Sequence, residues 1–475
     1  MFPDPEETPD QEWKMVSRNK TYVPTEEDVG YTLKVECVAK GIDGLKIASQ
    51  CVTTEVVLPV PPPPPMRRQV AHKYPGNGTD PTIRVATYNV LAEIYTNKQM
   101  YPYCPLWALS WNFRKRNLMR QMTQFNADIY CLQEVQADRF EQFFYPTFRA
   151  NGYEGLYKKK TREAMGRKGK VDGCAIFFKA SRFQLREKYV IEFNDAAMAM
   201  ARAGKLIPNQ SKLSEMEMSE TLSRVMKDNI AQVVVLETLP NGMDKGGRQF
   251  CLCNTHIFWD PEYADVKLWQ SAMLLKELEK FNVGRKLPLI LCGDFNSLPD
   301  SSVYEFLSTG QVRAIHPDLK RDPLGITSNA SDFRHDLQLT STHVSVAGSE
   351  PQFTNYTRDF VGTLDYIFST PRLHPISMFE IPSEKTLRKH NDSPLPNLQY
   401  PSDHIALCAD YQFMDKAPMI SMNQAQNVTS MRGQATGFHM GQMRAPHHTQ
   451  QVPFGAQQWN LGLHTTPGAE AWRSQ

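Results

Sequence analysis

No apolar run in this chain approaches the roughly 18 residues needed to cross a bilayer. The amino terminus, MFPDPEETPDQEW, is acidic where a secretion signal would be basic and then apolar. The expectation is a chain that neither spans a membrane nor is secreted. Cysteine is sparse: there are nine, scattered, and Cys251 and Cys253 form the only close pair, with no second pair to complete a zinc site. Those two share one face of the strand-like RQFCLCNTH and read as packing, so the simplest redox reading is a reduced, cytosolic chain. A charge excess is also lacking. Lys and Arg number 53 against 51 Asp and Glu, a formal charge of +2, so bulk electrostatics cannot hold the molecule on nucleic acid and any such contact must be local.

What is present is apolar content, 41% of 475 residues, enough for a buried core and for roughly two to four domains at about 100 to 200 residues each. Within residues 1–60, YTLKVECVAK and CVTTEVVLPV alternate like strands. Three or so strands cannot close a sandwich, which takes about seven, so this reads as a truncated β module. Residues 61–82, opening with Pro61 to Pro65, read as a Pro-rich linker. From Ile83 short apolar strands alternate with amphipathic helices: IRVATYNVL, DIYCLQEV, GCAIFFK, NIAQVVVLETL, RQFCLCNTHI, LPLILCGDFN, LDYIFS and HIALCADYQF. They predict one large α/β domain over 83–414.

A helix is expected after Asp260, with Asp260 as N-cap and Pro261 in the first helical position. Ala264, Leu268, Ala272, Leu275, Leu278 and Phe281 would form its buried stripe. Residues 195–225, rich in Met, Ala, Ser and Glu, read as a mobile insertion. The Gln/Gly/Met/His-rich tail at 415–475 has too few aliphatics to order itself and is expected to be disordered.

The chemistry lies where apolar strands meet polar residues. IRVATY ends at Asn89, DIYCLQ at Glu134, CLCNT at His256 and LPLILCG at Asp294, with Asn296 two residues on; Asp365 opens DYIFS, and Asp403 and His404 open IALCADY. In antiparallel neighbours the start of one strand lies beside the end of the next, so both sets can share one sheet edge. Carboxylates crowded there would repel each other and lose hydration, which calls for a cation. Carboxylate and amide oxygens with few soft ligands suit Mg²⁺ or Mn²⁺ better than zinc. Phosphoryl chemistry follows: His404 or His256 could donate to phosphate oxygens while Asp294 and Asn296 orient a water. Taken singly each residue has a bland reading as a turn, cap or structural group; the joint pattern carries the inference. The basic runs WNFRKRNLMR and YKKKTREAMGRKGK read as solvated faces.

The strings TYNVL, LQEV, NTHIFWDPEYADVKLWQ, GDFNSLPDS, TNYTRDFVGTLDYIF and PSDHIAL, in that order, resemble the endonuclease/exonuclease/phosphatase superfamily. Within it they are most similar to the carbon-catabolite-repressor-type poly(A) deadenylases, in a plant-like form. The resemblance implies a four-layered α/β sandwich of two mixed, mainly antiparallel sheets flanked by helices. It also implies Mg²⁺-dependent 3′-to-5′ removal of adenylate from mRNA as 5′-AMP, using two ions, with single-stranded poly(A) RNA as partner and a cytoplasmic and nuclear setting. By position, Glu134 resembles the principal metal ligand and Asp294 the acid/base that also touches metal. Asn296, Asp365, Asp403, His404, His256 and Asn89 match the surrounding metal, water and phosphate contacts. Pro261 and Phe360 match residues enclosing the terminal adenine, and Asn355 one that contacts the nucleotide.

No L-x-x-L-x-L period is present. Fungal and animal members carry such repeats to dock a second deadenylase, so the resemblance covers the catalytic unit and not the means of joining the large deadenylase complex. Two other readings remain. One keeps the metal centre but acts on a dinucleotide-phosphate cofactor, a 2′-to-5′ oligoadenylate, abasic DNA or an inositol phosphate; the other is a non-catalytic RNA-binding scaffold.

Overall fold

The computed structural model describes residues 13–414 apart from 61, 64, 74–80, 162–170, 208–209, 243–244, 328–332 and 391–393. The tail at 415–475 and much of the second basic run lie outside the described residues. In chain order the strands are β1 (Thr32–Lys40), β2 (Lys46–Val56), β3 (Gln69–Ala71), β4 (Thr82–Asn89), β5 (Ile129–Gln136), β6 (Tyr153–Lys159), β7 (Asp172–Lys179), β8 (Phe183–Glu192) and β9 (Ile230–Thr238). They continue with β10 (Gln249–His256), β11 (Leu289–Asp294), β12 (Thr340–Ser341), β13 (Asn355–Tyr356), β14 (Val361–Gly362), β15 (Asp365–Ser369), β16 (Leu373–Phe379) and β17 (Leu407–Phe413).

Two sheets stack face to face, in the orders β12-β15-β11-β10-β9-β8 and β3-β16-β17-β4-β5-β7-β6. Each is antiparallel except for one central pair, β10 with β11 and β4 with β5. A parallel pair needs a crossover, supplied by the helix Ala264–Asn282 in one sheet and by Trp111–Phe125 in the other. Because helices cover both outer faces, the central strands are apolar in nearly every position. The period of two still sorts them: Phe250 and Leu252 of β10 join Ile129 and Cys131 of β5 between the sheets. Cys251 and Cys253 turn outward against Leu268, Ala272 and Leu275, while Tyr130 and Leu132 of β5 pack on Leu118 and Met122. The result is the expected four layers, and Cys251 and Cys253 are packing residues as read.

Several expectations change. The long helix begins at Ala264 with Tyr263 as its cap residue; Asp260 and Pro261 precede it in a turn, where the Asp260 side chain accepts from the Glu262 amide at 2.9 Å. Residues 195–225 are not a bare insertion: helices Phe193–Arg202 and Glu215–Val225 pack Phe193, Ala197 and Val225 onto the outer core. Ser214 and Glu217 form a capping box at the second helix. Inside the stretch read as linker, β3 pairs with β16 as an edge strand, and Arg67 donates to the carbonyls of Glu380, Ala406 and Phe379. The upstream β segment is a two-stranded hairpin, β1 with β2.

Candidate active site

The topology gathers both parallel pairs' carboxyl ends at one pole, the place where open sheets leave unpaired backbone and room for a ligand. Asn89 ends β4, Glu134 lies near the end of β5, and His256 and Asp294 end β10 and β11 side by side in register. The antiparallel partner β15 starts there, placing Asp365 directly opposite Asp294. His404, ahead of β17, bridges to Asn355 of the β13–β14 hairpin.

Local backbone aims these groups. A bulge in β5 against β7 falls between Leu132 and Val135, and within it Glu134 has φ +57°. Leu91 and Asn296 are also left-handed, at φ +55° and +48°. Non-glycine residues rarely adopt this region, and such strain collects at functional sites. Gly293 has φ +147° and an added Cβ would lie 2.0 Å from the Thr255 carbonyl oxygen, so only glycine lets β11 approach β10 closely enough to place Asp294 beside His256.

Asn89 is the hub. Its Nδ2 donates to Glu134 Oε1 and to Asp294 Oδ2, both at 2.9 Å, while its Oδ1 accepts from the Leu91 amide at 3.0 Å. The Ala92 amide donates to Glu134 Oε2 at 2.9 Å, and the Asn296 amide to Asp294 Oδ1 at 2.9 Å. His404 Nδ1 lies 2.7 Å from Asp365 Oδ2, leaving Nε2 3.7 Å from Asp294 Oδ2. His256 Nε2 approaches the same oxygen at 3.6 Å. Ligand atoms of Asp294, Asp365 and His404 all lie within 4.8 Å of one another, and all three residues are buried.

The electrostatics follow from this crowding. Burial, then Asp365, pushes the Asp294 carboxyl up to about 7, with His404 and Asn89 opposing. Burial, then Asp172 and Asp403, raises Glu134 above the usual carboxylate range, opposed by Lys160. For His404, burial lowers basicity, but Asp365, Asp294 and Asp403 outweigh it and hold the ring well above its ordinary value. Asp365 Oδ1 is buried with no hydrogen-bond partner. A buried carboxylate oxygen without a donor, beside the Asp294 carboxylate and the His404 imidazole, fits a hard cation.

The other expected residues are placed as follows. Asp403 directs Oδ2 to Tyr101 Oη at 3.0 Å and Asn355 Nδ2 at 3.1 Å, so it positions the Asn355 hairpin and is not among the atoms gathered with Asp294. Asn296 commits Nδ2 to the Ile257 carbonyl at 3.0 Å, leaving its amide oxygen as the only ligand atom. Phe360, 38% exposed, sits at the turn of the β13–β14 hairpin, its ring over the bare Gly362 Cα. Pro261 is exposed in the turn after β10, and its carbonyl accepts from Arg321 at 3.0 Å.

Sequence reasoning missed a supporting set. Gln133 Nε2 donates to Asn254 Oδ1 at 2.7 Å and Thr87 Oγ1 at 2.9 Å, tying the two sheets beneath the site. Lys160 and Asp172 form a buried pair at 2.7 Å whose field reaches Glu134, although Lys160 comes from a run read as a solvated face. Lys267 is 7% exposed, its Nζ donates to the Asn296 carbonyl at 2.7 Å, and burial lowers it to about 8. The available signal was polar residues inside otherwise apolar strands, as in CLQEV and CLCNTH.

The fold and the convergence of these groups define a phosphoesterase-type α/β sandwich, and the chain belongs to the endonuclease/exonuclease/phosphatase family, whose sequence pattern matches residues 86–404. It is similar to carbon catabolite repressor protein 4 homolog 1 of Arabidopsis thaliana, 40% identical over 437 residues, covering 85% of this chain and 71% of that protein. It is also similar to the CCR4-Not complex 3′-5′-exoribonuclease subunit Ccr4 of Mycosarcoma maydis, 34% identical over 370 residues, 72% of this chain and 52% of that one. Among solved structures, ANGEL2, a 2′,3′-cyclic phosphatase in complex with adenosine-2′,3′-vanadate, superposes with a TM-score of 0.57 at 26% identity, covering 73% of this chain and 99% of that one.

Proposed function

We propose that this protein is a Mg²⁺-dependent 3′-to-5′ exoribonuclease that shortens mRNA poly(A) tails and releases 5′-AMP. The observation that carries the reading is the gathering of Asn89, Glu134, His256, Asp294, Asn296, Asp365 and His404 at one pole of the sandwich. Similarity to a protein named as a 3′-5′-exoribonuclease subunit supports it. Glu134, Asp294, Asp365 and His404, with the Asn296 amide oxygen, would hold the cation, two ions or one, with Mn²⁺ as a substitute. A bound divalent ion would supply positive charge to a phosphodiester's non-bridging oxygens. His404, fixed by Asp365, presents Nε2 to a phosphate oxygen, and His256 gives a second donor. Asp294, oriented by Asn89 and the Asn296 amide, faces the attacking water. Phe360 and Pro261 enclose the terminal adenine, and Asn355 contacts its nucleotide. Single-stranded poly(A) is the partner, the cytoplasm and nucleus are the setting, and membership of the cellular deadenylase complex belongs to the same reading. Among the described residues no helix is long and apolar enough to cross a membrane.

A second reading, favoured by the likeness to ANGEL2, uses the same centre to open a terminal 2′,3′-cyclic phosphate. The deciding experiment incubates the protein and Mg²⁺ with a 5′-labelled RNA ending in twenty adenosines, a matched RNA ending in other bases, and an RNA ending in a 2′,3′-cyclic phosphate. A ladder that stops where the adenosines end supports the first reading. Digestion that ignores the junction removes the adenine preference, and cyclic-phosphate opening without shortening replaces the first reading with the second.

A further inference from the structure

Trp259 is 66% exposed, and single exposed apolar residues are ordinary; the surroundings of this one are not. It follows His256 by three residues, so its Cα lies within roughly 11 Å of the His256 Cα. The connecting loop is fastened: the Ile257 amide donates to the Asp294 carbonyl at 2.9 Å. Asn296 donates to the Ile257 carbonyl at 3.0 Å, and the Phe258 amide to Gln270 Oε1 at 3.0 Å. These bonds fix the backbone that leads from the catalytic pole to Trp259.

The indole belongs to an aromatic group. The Phe258 ring is 6.2 Å from that of Trp259, and the Tyr263 ring is 5.3 Å from that of Phe258. Lys227 Nζ stands 5.2 Å over Phe258 and 4.8 Å over Tyr263. Its hydrogen bond goes to the Ser223 carbonyl at 3.2 Å; among the described residues no ion pair joins it to a carboxylate. The neighbouring Arg224, 4.3 Å over Tyr263, differs, since Asp265 neutralises it through bonds of 2.7 and 2.8 Å. Burial and the nearby Arg224 hold the Lys227 ammonium below its ordinary pKa, with Asp260, Asp228 and Asp265 opposing.

We propose that Trp259 and Lys227 form a second nucleotide subsite, in which the indole stacks on an unpaired base upstream of the scissile phosphate and the ammonium meets the RNA backbone. This rests on the exoribonuclease reading and extends it. Single-strand binders combine aromatic faces, which accept any base, with cations that follow the backbone. The subsite therefore adds affinity for single-stranded RNA without selecting adenine, and it is separate from Phe360 and Pro261.

The test uses the full chain with an RNA of twenty adenosines and with the same RNA carrying abasic residues second and third from the 3′ end. For the wild-type protein the abasic RNA should bind roughly five- to a hundredfold more weakly. Trp259→Ala should weaken binding of the intact RNA by a similar factor, and in that variant the abasic change should add little. Trp259→Phe should keep most of the affinity, and Lys227→Ala should reduce the slope of log affinity against log salt by about 0.7. Independent, multiplicative losses overturn the subsite, as does Trp259→Ala binding like wild type. Binding is read by anisotropy without Mg²⁺ and turnover separately with it. An RNA that is bound but never shortened would defeat the exoribonuclease reading, while the binding cycle would still decide the subsite on its own.

Discussion

Replacing Arg114 by alanine probes whether one buried cation holds the catalytic pole together. Arg114 lies in WNFRKRNLMR, a run whose default reading is a solvated face, yet its side chain is fully buried. Its guanidinium donates to the carbonyls of Leu109 at 3.0 Å, Val90 at 3.1 Å, Leu91 at 2.8 Å and Pro401 at 2.9 Å. Val90 and Leu91 follow Asn89, and Pro401 leads into Ser402, Asp403 and His404, so one side chain fastens two loops that present site residues. Hydrogen bonds to a charged group contribute about 1.5–3 kcal/mol each. These four share one cation whose desolvation opposes them, and burial holds its pKa below the ordinary value.

The expected loss is therefore about 3–5 kcal/mol, well short of four independent bonds. Against a typical stability of about 5–15 kcal/mol, Arg114→Ala should lower the urea midpoint markedly with little change in slope. Arg114→Lys should recover less than half, because an ammonium on a flexible stem cannot span the four acceptors that a planar fork reaches. Nuclease activity, measured where the variant is still folded, should also fall as Asn89 and His404 lose their mutual register. A loss under about 1 kcal/mol, within the range of ordinary surface substitutions, would refute the reasoning, as would a lysine variant as stable as wild type.

Glu134→Ala should cut nuclease activity by on the order of 10²- to 10³-fold with a nearly unchanged melt, since it removes one charge from a crowded cluster; residual activity above about a tenth would count against its role. In the same variant Mg²⁺ should fail to raise the melting temperature as it does for the chelator-treated wild-type protein. Phe360→Ala should lower turnover of oligoadenylate roughly ten- to a hundredfold through loss of a stacking partner, and hit a small baseless phosphodiester far less; equal losses would mean that Phe360 only shapes its hairpin. Deleting the chain after Pro418 should leave turnover of short oligoadenylate intact, and aggregation or a large loss would show the tail packs on the catalytic unit.

The amino-acid sequence alone marked eight strands of the two central sheets, because strands covered on both faces must be apolar almost throughout. Edge strands β6 and β8 were missed for the converse reason: β8, FQLREKYVIE, is mostly exposed and carries little apolar signal. The linker hid β3 because three residues of edge strand have no periodicity to display. The two helices of 193–225 were hidden by composition, since Ala and Met serve a helix and a loop alike, and only contact with the outer core selects between them.

For the site, the sequence determined the chemistry. Oxygen and imidazole side chains at strand ends are local features, and their types limit the cation and the reaction. Which of them meet was decided only by tertiary structure. The parallel pairings set His256 beside Asp294 and the antiparallel pairing set Asp365 opposite it; the left-handed turns at Glu134 and Asn296 and the close approach at Gly293 then aimed the groups. Asp403 shows the limit, for it neighbours His404 in the chain yet turns to Tyr101 and Asn355. Burial likewise made Arg114, Lys160 and Lys267 structural where the string showed only positive charge. A side chain's charge is written in its residue type, but its solvation and partners depend on segments hundreds of residues away, and no local pattern carries that information.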